Sequence, residues 1–489
     1  MVPKQIFSNV KKTAKKFAII NRLFHVYVFL NIYSCIFYLS NSGFFSPNYF
    51  DFLVVLWFNL VTLCLFFLPY CFVVFFPAKG KVKNTLNKIG DAIFFTTVAL
   101  LFFLISVGIA VYPFSLKHLS FDYLIYFLFD NEETNLFSYF LIEYFWLFLI
   151  FLSSIVSLFF LQKKQPFSKT DSSIYSQLIR FFTALIVFFI IGRGGFKLKP
   201  IGILDASIYA SINNSDMVLN SAFTTLKTIH LKGVQEKKYF SKEEELKWFN
   251  PIKNGKPQNI LPTETNVVIL ILESFGNTYT GPNNSESYSP FFDSILQQSL
   301  SFENSISNGS SSMDALPAIL ASLPSWTNES FIISSYVGNK VNGLPYYLQK
   351  YGYQSAFFHG ANNGSMRFDA FCKKIGFDNY YGKNQYGNQN HDDGMWGIPD
   401  HYFLNYTAKQ ITKLKAPFLA SIFTISSHHP YKIPKDYLKQ VKKGPEEICA
   451  AINYSDLALK SFWREIKNKK WFNNTLFVFC ADHTAPSKR

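Results

Sequence analysis

The chain has 489 residues, of which 49% are hydrophobic, with 56 Phe and 28 Tyr, and it carries a formal charge of +15. The apolar residues crowd into the first two-fifths, which excludes a wholly soluble chain and points to a membrane part joined to a soluble part. Lys and Arg fall largely in short segments between apolar runs, so membrane topology accounts for the charge and no nucleic-acid partner is expected.

Five runs are long enough to span a bilayer as helices, near 17–40, 52–76, 91–113, 138–161 and 178–192. The apolar stretch 120–129 is too short to span and is expected at the interface. Lys4, Lys11, Lys12, Lys15 and Lys16 precede the first run. Lys79, Lys81, Lys83 and Lys88 lie between the second and third, and Lys163, Lys164 and Lys169 between the fourth and fifth. The other two loops are poor in Lys and Arg, and one carries Asp130, Glu132 and Glu133. Positive charge marks the inner side, so the N-terminus is expected in the cytoplasm and the soluble part outside it. The first run is too long for a cleavable signal peptide and lacks a small-residue cleavage site. Glu143 and Arg180 are the main charges within the spans, fewer than a transporter pathway usually shows. Cys372, Cys449 and Cys480 of the soluble part show no paired spacing, so neither a disulfide framework nor a zinc knuckle is indicated.

Residues 1–192 therefore read as a transmembrane domain and 193–262 as a helical connector and linker. In the connector, Tyr209, Met217, Leu219 and Phe223 are spaced to line one helix face, and the segment 250–262 is rich in Pro, Asn, Gly and Lys. From 263 to 489 strand alternates with helix. Strands are expected over 267–272, 354–358, within 416–426 and over 475–479, and helices over 290–299, 312–322, 343–351 and 450–467. That alternation implies an α/β domain with a largely parallel sheet between helices.

The run Val267–Leu272 is apolar at every position and ends on Glu273. A carboxylate delivered by a strand buried on both faces needs a partner or a metal. A second run, Thr475–Ala481, ends on Asp482-His483. The carboxyl ends of such strands are where α/β folds hold ligands. Between the two lies Asn308-Gly309-Ser310-Ser311-Ser312-Met313-Asp314, which opens a helix. A serine is a good helix cap, the bland explanation. The same place offers N–H groups and a dipole that favour an anion, and a divalent cation can activate a hydroxyl there. A Glu, Ser, Asp and His set mixes oxygen and nitrogen ligands in a way that suits Mn²⁺ or Zn²⁺. His359 and His428-His429 each follow a strand, as candidates for phosphate or leaving-group contacts.

These pieces resemble a known family. The runs Asn266–Ser274 and Asn308–Pro317, with Phe358-His359-Gly360, Trp396-Gly397, Ser427-His428-His429-Pro430 and Ala481-Asp482-His483, carry the resemblance. From about residue 10 onward the chain resembles the lipoteichoic acid synthase-like membrane transferases of the alkaline phosphatase/sulfatase superfamily. The resemblance implies five spans in the cell (inner) membrane and an extracytoplasmic catalytic domain. It implies that Glu273, Ser312, Asp482 and His483 bind a divalent cation, with Mn²⁺ the first choice and Zn²⁺ or Mg²⁺ alternatives. Ser312 matches the nucleophile, with Ser311 the second candidate, and His359, His428 and Arg367 match substrate contacts. Ala361 stands where some relatives have Asp, and Met366 where they have Trp.

The implied reaction moves phosphoglycerol or phosphoethanolamine from a phospholipid head-group donor to a glycan or lipid hydroxyl, through a phospho-Ser312 intermediate. The alternatives are a hydrolase or phosphodiesterase using the same site, or an inactive truncated homologue. Sulfatases of this fold need Cys/Ser-x-Pro-x-Arg, whereas Asp314 follows Ser312 by two residues, which favours phosphoryl transfer. Relatives continue with further strands beyond the Asp-His pair, so the resemblance also implies an open sheet edge and low stability for 263–489 expressed alone.

Overall fold

The computed structural model describes residues 18–129, 142–163, 173–234, 239–250, 262, 264–281, 286–302, 304–327 and 329–485. Met1–Gly233 together with Ser334–Lys340 form one compact unit, and Val234–Ile333 with Val341–Arg489 form the other.

In the first unit, α1 (Ala18–Ser40), α2 (Tyr49–Phe75), α3 (Gly80–Ser115), α5 (Phe145–Lys163) and α6 (Ile174–Arg193) supply five helices long and apolar enough to cross a membrane. The chain is thus a multi-pass membrane protein. The short α4 (Phe121–Phe129) has nine residues. Helix α3 starts well before its expected apolar run because the lysine-bearing segment 80–90 continues the same helix. Residues 138–141 of the expected fourth span lie outside the described residues, as do the N-terminal lysines, Lys164, Lys169, Asp130, Glu132 and Glu133. Asn48 starts α2 with a capping box: its side chain accepts from the Phe50 and Asp51 N–H groups, and Asp51 accepts from its backbone.

Aromatic side chains fill the space between these helices, with Tyr33, Phe67, Tyr70, Phe94 and Phe102 fully buried. Apolar packing has no preferred register in lipid, so polar ties fix it. Asn59 of α2 donates to Asn31 Oδ1 (3.0 Å) and Ser34 Oγ (2.9 Å) of α1. It accepts from Asn220 Nδ2 at 3.0 Å, and the same Nδ2 donates to Thr62 Oγ1 at 2.9 Å. Asn220 Oδ1 meanwhile caps α7 (Ser221–Thr228) by accepting from the Phe223 N–H. Glu143 and Arg180 lie on exposed faces; within the described spanning helices Arg22, paired with Asp91, and Asp51, which accepts from Asn214, are buried.

The connector is not one long helix. Tyr209 ends a one-turn helix, Met217 and Leu219 are buried in irregular chain, and only Phe223 lies in α7. Asn214 spends its side chain on the Ser46 carbonyl and Asp51, and such side-chain bonds compete with a continuing helix.

The second unit holds a five-stranded sheet of β1 (Asn266–Leu272), β2 (Gln354–His359), β3 (Asn379–Tyr381), β4 (Phe418–Phe423) and β5 (Thr475–Ala481), in the order β3-β2-β4-β1-β5. Every pairing is parallel. β1, β2 and β4 are buried on both faces, as their unbroken apolar runs require. β5 lies at one edge, where Leu476 and Val478 are exposed. The three-residue β3 is an element that the sequence pattern did not indicate. So are the helices α10 (Phe368–Ile375) and α11 (Asp400–Ile411). The expected helices appear as α8 (Pro290–Leu296), α9 (Ser312–Ala321) and α12 (Glu447–Ile466), with a shorter turn over Leu344–Gln349. Asp456 of α12 accepts from the Phe291 and Phe292 N–H groups and so caps α8. All five strands run the same way, so one end of the sheet collects Glu273, His359, Thr424 and Asp482.

Asn220 serves one helix cap and two interhelical bonds at once. Asn220→Ala is expected to cost about 2–3 kcal/mol, the loss of a cap plus stranded partners. Thermal unfolding in detergent measures this, and a loss below about 0.5 kcal/mol would contradict the assigned role.

Candidate functional site

The register of β1 and β5 pairs Leu272 with Ala481, so the next residues, Glu273 and Asp482, stand side by side. The ladder continues one step further through Asp482 N–H to the Leu272 carbonyl. Both carboxylates are buried, at 3% and 1% exposure. Ser274 then takes a left-handed backbone, φ 60°, which a residue with a side chain adopts only under constraint. The constraint is visible: its N–H donates to Asp482 Oδ1 (2.8 Å) and its hydroxyl to Glu273 Oε1 (2.7 Å). The Glu273 backbone is fixed from the β4 side. Its N–H donates to Thr424 Oγ1 (2.9 Å), and its carbonyl accepts from Ser427 Oγ (2.6 Å).

Helix α9 brings the hydroxyl. Ser312 is its first residue and is buried, with Oγ donating to Glu273 Oε2 at 3.0 Å and lying 3.3 Å from His483 Nε2. Ser311 instead gives its hydroxyl to Asp314 Oδ2 at 2.9 Å. His483 Nδ1 faces the Thr484 carbonyl at 3.0 Å, so Nδ1 carries a hydrogen and Nε2 is the nitrogen turned toward the cluster. Nε2 lies 3.2 Å from Asp482 Oδ2 and 3.7 Å from Glu273 Oε1. The structure thus brings Glu273, Ser312, Asp482 and His483 together.

A cation fits this set on three grounds. Ligand atoms of Glu273, Asp482 and His483 lie within 4.8 Å of one another. Asp482 Oδ2 is buried and makes no hydrogen bond among the described residues. Burial, and then the neighbouring Asp482 charge, hold the Glu273 carboxyl well above the ordinary carboxylate range. Two adjacent buried carboxylates suit a shared counter-ion, and a histidine held through its Nδ1 by a carbonyl has Nε2 oriented toward it.

Beside the cluster is a pocket of about 270 Å³ lined by Glu273, Ser312, His359, Met366, Phe368, Trp396, Phe423 and His428 among others. His359 is buried, and its Nδ1 meets the Phe423 carbonyl at 3.3 Å. Burial pushes its pKa down to about 4, so it is neutral with Nε2 available as an acceptor. His428 Nδ1 and the Trp396 indole N–H both reach the His429 carbonyl, each at 2.8 Å, and the two rings lie 4.1 Å apart. Arg367 does not line this pocket; Met366 does. Arg367 stands at the start of α10, and both residues have positive φ, 60° and 51°.

Sequence reasoning did not assign roles to Ser274, Thr424 or Ser427. Their signal is weak: each is a small hydroxyl residue just past a strand end, a position that says nothing of its partner.

Residues 265–489 match the sulfatase family, and this part of the chain is a sulfatase-like α/β domain. The lipoteichoic acid synthase-like protein YvgJ of Bacillus subtilis (strain 168) is 24% identical over 296 residues, 58% of this chain and 46% of that protein. Lipoteichoic acid synthase 1 of the same organism is 29% identical over 156 residues, 31% of this chain and 24% of that protein. A solved alkaline phosphatase superfamily protein from Vibrio parahaemolyticus is similar at 24% identity and a TM-score of 0.45, over 49% of this chain and 60% of that one. The matches span less than half the length of both curated relatives.

Two outcomes follow from the geometry. Ser274→Ala removes the hydroxyl that orients Glu273 and should weaken Mn²⁺ binding about 10–100-fold by calorimetry, whereas unchanged affinity would contradict that role. Glu273 holds its proton more tightly in the folded than in the unfolded chain. Without a cation, stability should therefore fall as pH rises above the ordinary glutamate value of about 4.3. Melting temperatures across pH should show this fall, and added Mn²⁺ should remove it. A cation-free protein that gains stability over the same window would count against the reading.

Proposed function

We propose that this sulfatase-like domain transfers a phosphoglycerol or phosphoethanolamine group from a phospholipid to an extracytoplasmic hydroxyl acceptor, on a glycan or a lipid, through a phosphorylated Ser312. The observation that carries the reading is the Ser312 hydroxyl, held between Glu273 Oε2 and His483 Nε2 at the first turn of α9. The names of the two curated relatives, both lipoteichoic acid synthase-like, support the same class of chemistry.

Ser312 Oγ attacks the donor phosphorus. The Oγ–P bond forms, the bond from phosphorus to the diacylglycerol oxygen breaks, and that oxygen takes up a proton to leave as diacylglycerol. The Ser312 proton already points at Glu273 Oε2. An acceptor hydroxyl then attacks the phosphoserine, loses its proton and regenerates Ser312. The N–H groups opening α9 face developing negative charge. Neutral His359 offers Nε2 to a head-group hydroxyl or ammonium, and His428, held through the His429 carbonyl, presents its own Nε2 from the other wall. Glu273, Ser312, Asp482 and His483 would hold a divalent cation, Mn²⁺ in our reading, which when bound favours the alkoxide form of Ser312.

The topology suits a membrane donor. Lys79, which precedes α3, and Lys81, Lys83 and Lys88 in its opening turns favour a cytoplasmic side for this end of α3 under the positive-inside rule. Five crossings starting from a cytoplasmic N-terminus support an extracytoplasmic second unit, on the side of the proposed hydroxyl acceptor.

Incubated with phosphatidylglycerol and Mn²⁺, the full chain should release diacylglycerol and carry one phosphoglycerol group by intact mass. Ser312→Ala should carry none and lose turnover by at least about a thousandfold. Retained turnover in Ser312→Ala would overturn the covalent route. Release of free glycerol phosphate in the presence of acceptor would make water the acceptor and the protein a hydrolase.

A further inference from the structure

A second polar site lies wholly within the spanning unit. Helix α3 ends at Ser115, Leu116 turns the chain with φ 51°, and residues 117–120 form one wall of a narrow cleft of about 280 Å³. Asp216, Thr224 and Thr228 line the other wall, with Ser335 and Gly338 at its side.

Most polar groups here are matched. His118 is buried, with Nδ1 against Ser221 Oγ (3.0 Å) and Nε2 against the Asp216 carbonyl (2.6 Å). Thr224 donates to the Leu119 carbonyl, and Thr228 accepts from the Phe121 N–H. Of the two nearby carboxylates, Asp216 Oδ2 accepts from the Tyr112 hydroxyl and Asp122 Oδ2 from the Ser335 hydroxyl, both at 3.3 Å, while Asp122 Oδ1 is buried without a hydrogen bond among the described residues.

Two further groups have no hydrogen-bond or ion-pair partner among the described residues. Ser120 is 4% exposed and its hydroxyl has no partner. Lys117 is half-buried, with its ammonium 5.3 Å and 5.8 Å from the ring centroids of Tyr123 and Tyr336 and with no carboxylate in ion-pair contact. Burial lowers its pKa, an effect that the nearby Asp122 charge offsets only in part, and a bound anion would relieve the remainder. A half-buried cation and a buried hydroxyl in one cleft both call for an acceptor-rich ligand.

We propose that this cleft binds a phosphate ester through Lys117 and Ser120, as a site separate from Ser312. The chemistry fits a phospholipid head group or free phosphate alike. The site does not depend on the transfer reaction and is tested by binding alone.

The experiment uses the full chain in detergent, carrying Ser312→Ala and free of divalent cations, so that the catalytic cluster takes no part. It is titrated with short-chain phosphatidylglycerol and, separately, with inorganic phosphate. Saturable lipid binding is expected, weakened at least about tenfold by Lys117→Gln and several-fold by Ser120→Ala. Lys117→Arg, which keeps the charge, should bind nearly as the parent does and shows that the fold is intact. Displacement of the lipid by phosphate supports recognition of the phosphate itself. Phosphate binding without lipid binding would assign the cleft to the free anion and overturn a lipid ligand. Parent-like binding in both Lys117→Gln and Ser120→Ala would overturn the site altogether.

Discussion

The catalytic half of this chain is organised around two buried carboxylates that the sheet forces together. Glu273 and Asp482 follow β1 and β5, which pair in parallel and in register, so neither can move away without breaking the ladder. Burial, and then the neighbouring Asp482 charge, raise the proton affinity of Glu273. The remaining parts of the site answer that problem. Ser274 bends into a left-handed conformation to donate to both carboxylates, α9 delivers the Ser312 hydroxyl to Glu273, and His483 turns Nε2 toward the same point. Those donors satisfy only part of the acceptor capacity, and a cation is the natural completion.

Much of this was legible because β1 and β5 announce themselves. An unbroken apolar run ending abruptly on an acid has few explanations, and Glu273 and Asp482 were visible on that ground. Ser312 was visible as a serine opening a helix, though the choice over Ser311 rested on a resemblance; the structure separates them by giving the Ser311 hydroxyl to Asp314. Ser274 was opaque because its importance lies in backbone sign, which only glycine advertises in a sequence. β3 was opaque because Asn379-Tyr380-Tyr381 is too short to show a period. At Arg367 the sequence shows a motif position but not the backbone: two consecutive left-handed residues set Met366 in the pocket lining and Arg367 at the start of α10.

The spanning unit follows a different logic. Its helices are apolar all round, and hydropathy located them well while saying nothing of how they pack. Packing is set by a few polar residues that hydropathy treats as blemishes, above all Asn59 and Asn220. The same short polar segment that docks onto the helices also encloses the Lys117 cleft. One stretch of irregular chain, which pattern reading took for a helix, therefore carries both the internal ties of this unit and its most distinctive polar surface.

The central claim is that Glu273, Ser312, Asp482 and His483 form one cation site with Ser312 as part of it. Anomalous diffraction from crystals grown with Mn²⁺ tests this most directly. The account predicts a single strong peak in bonding contact with all four side chains. A Mn²⁺ peak elsewhere in the domain, or one that excludes Ser312, would contradict it.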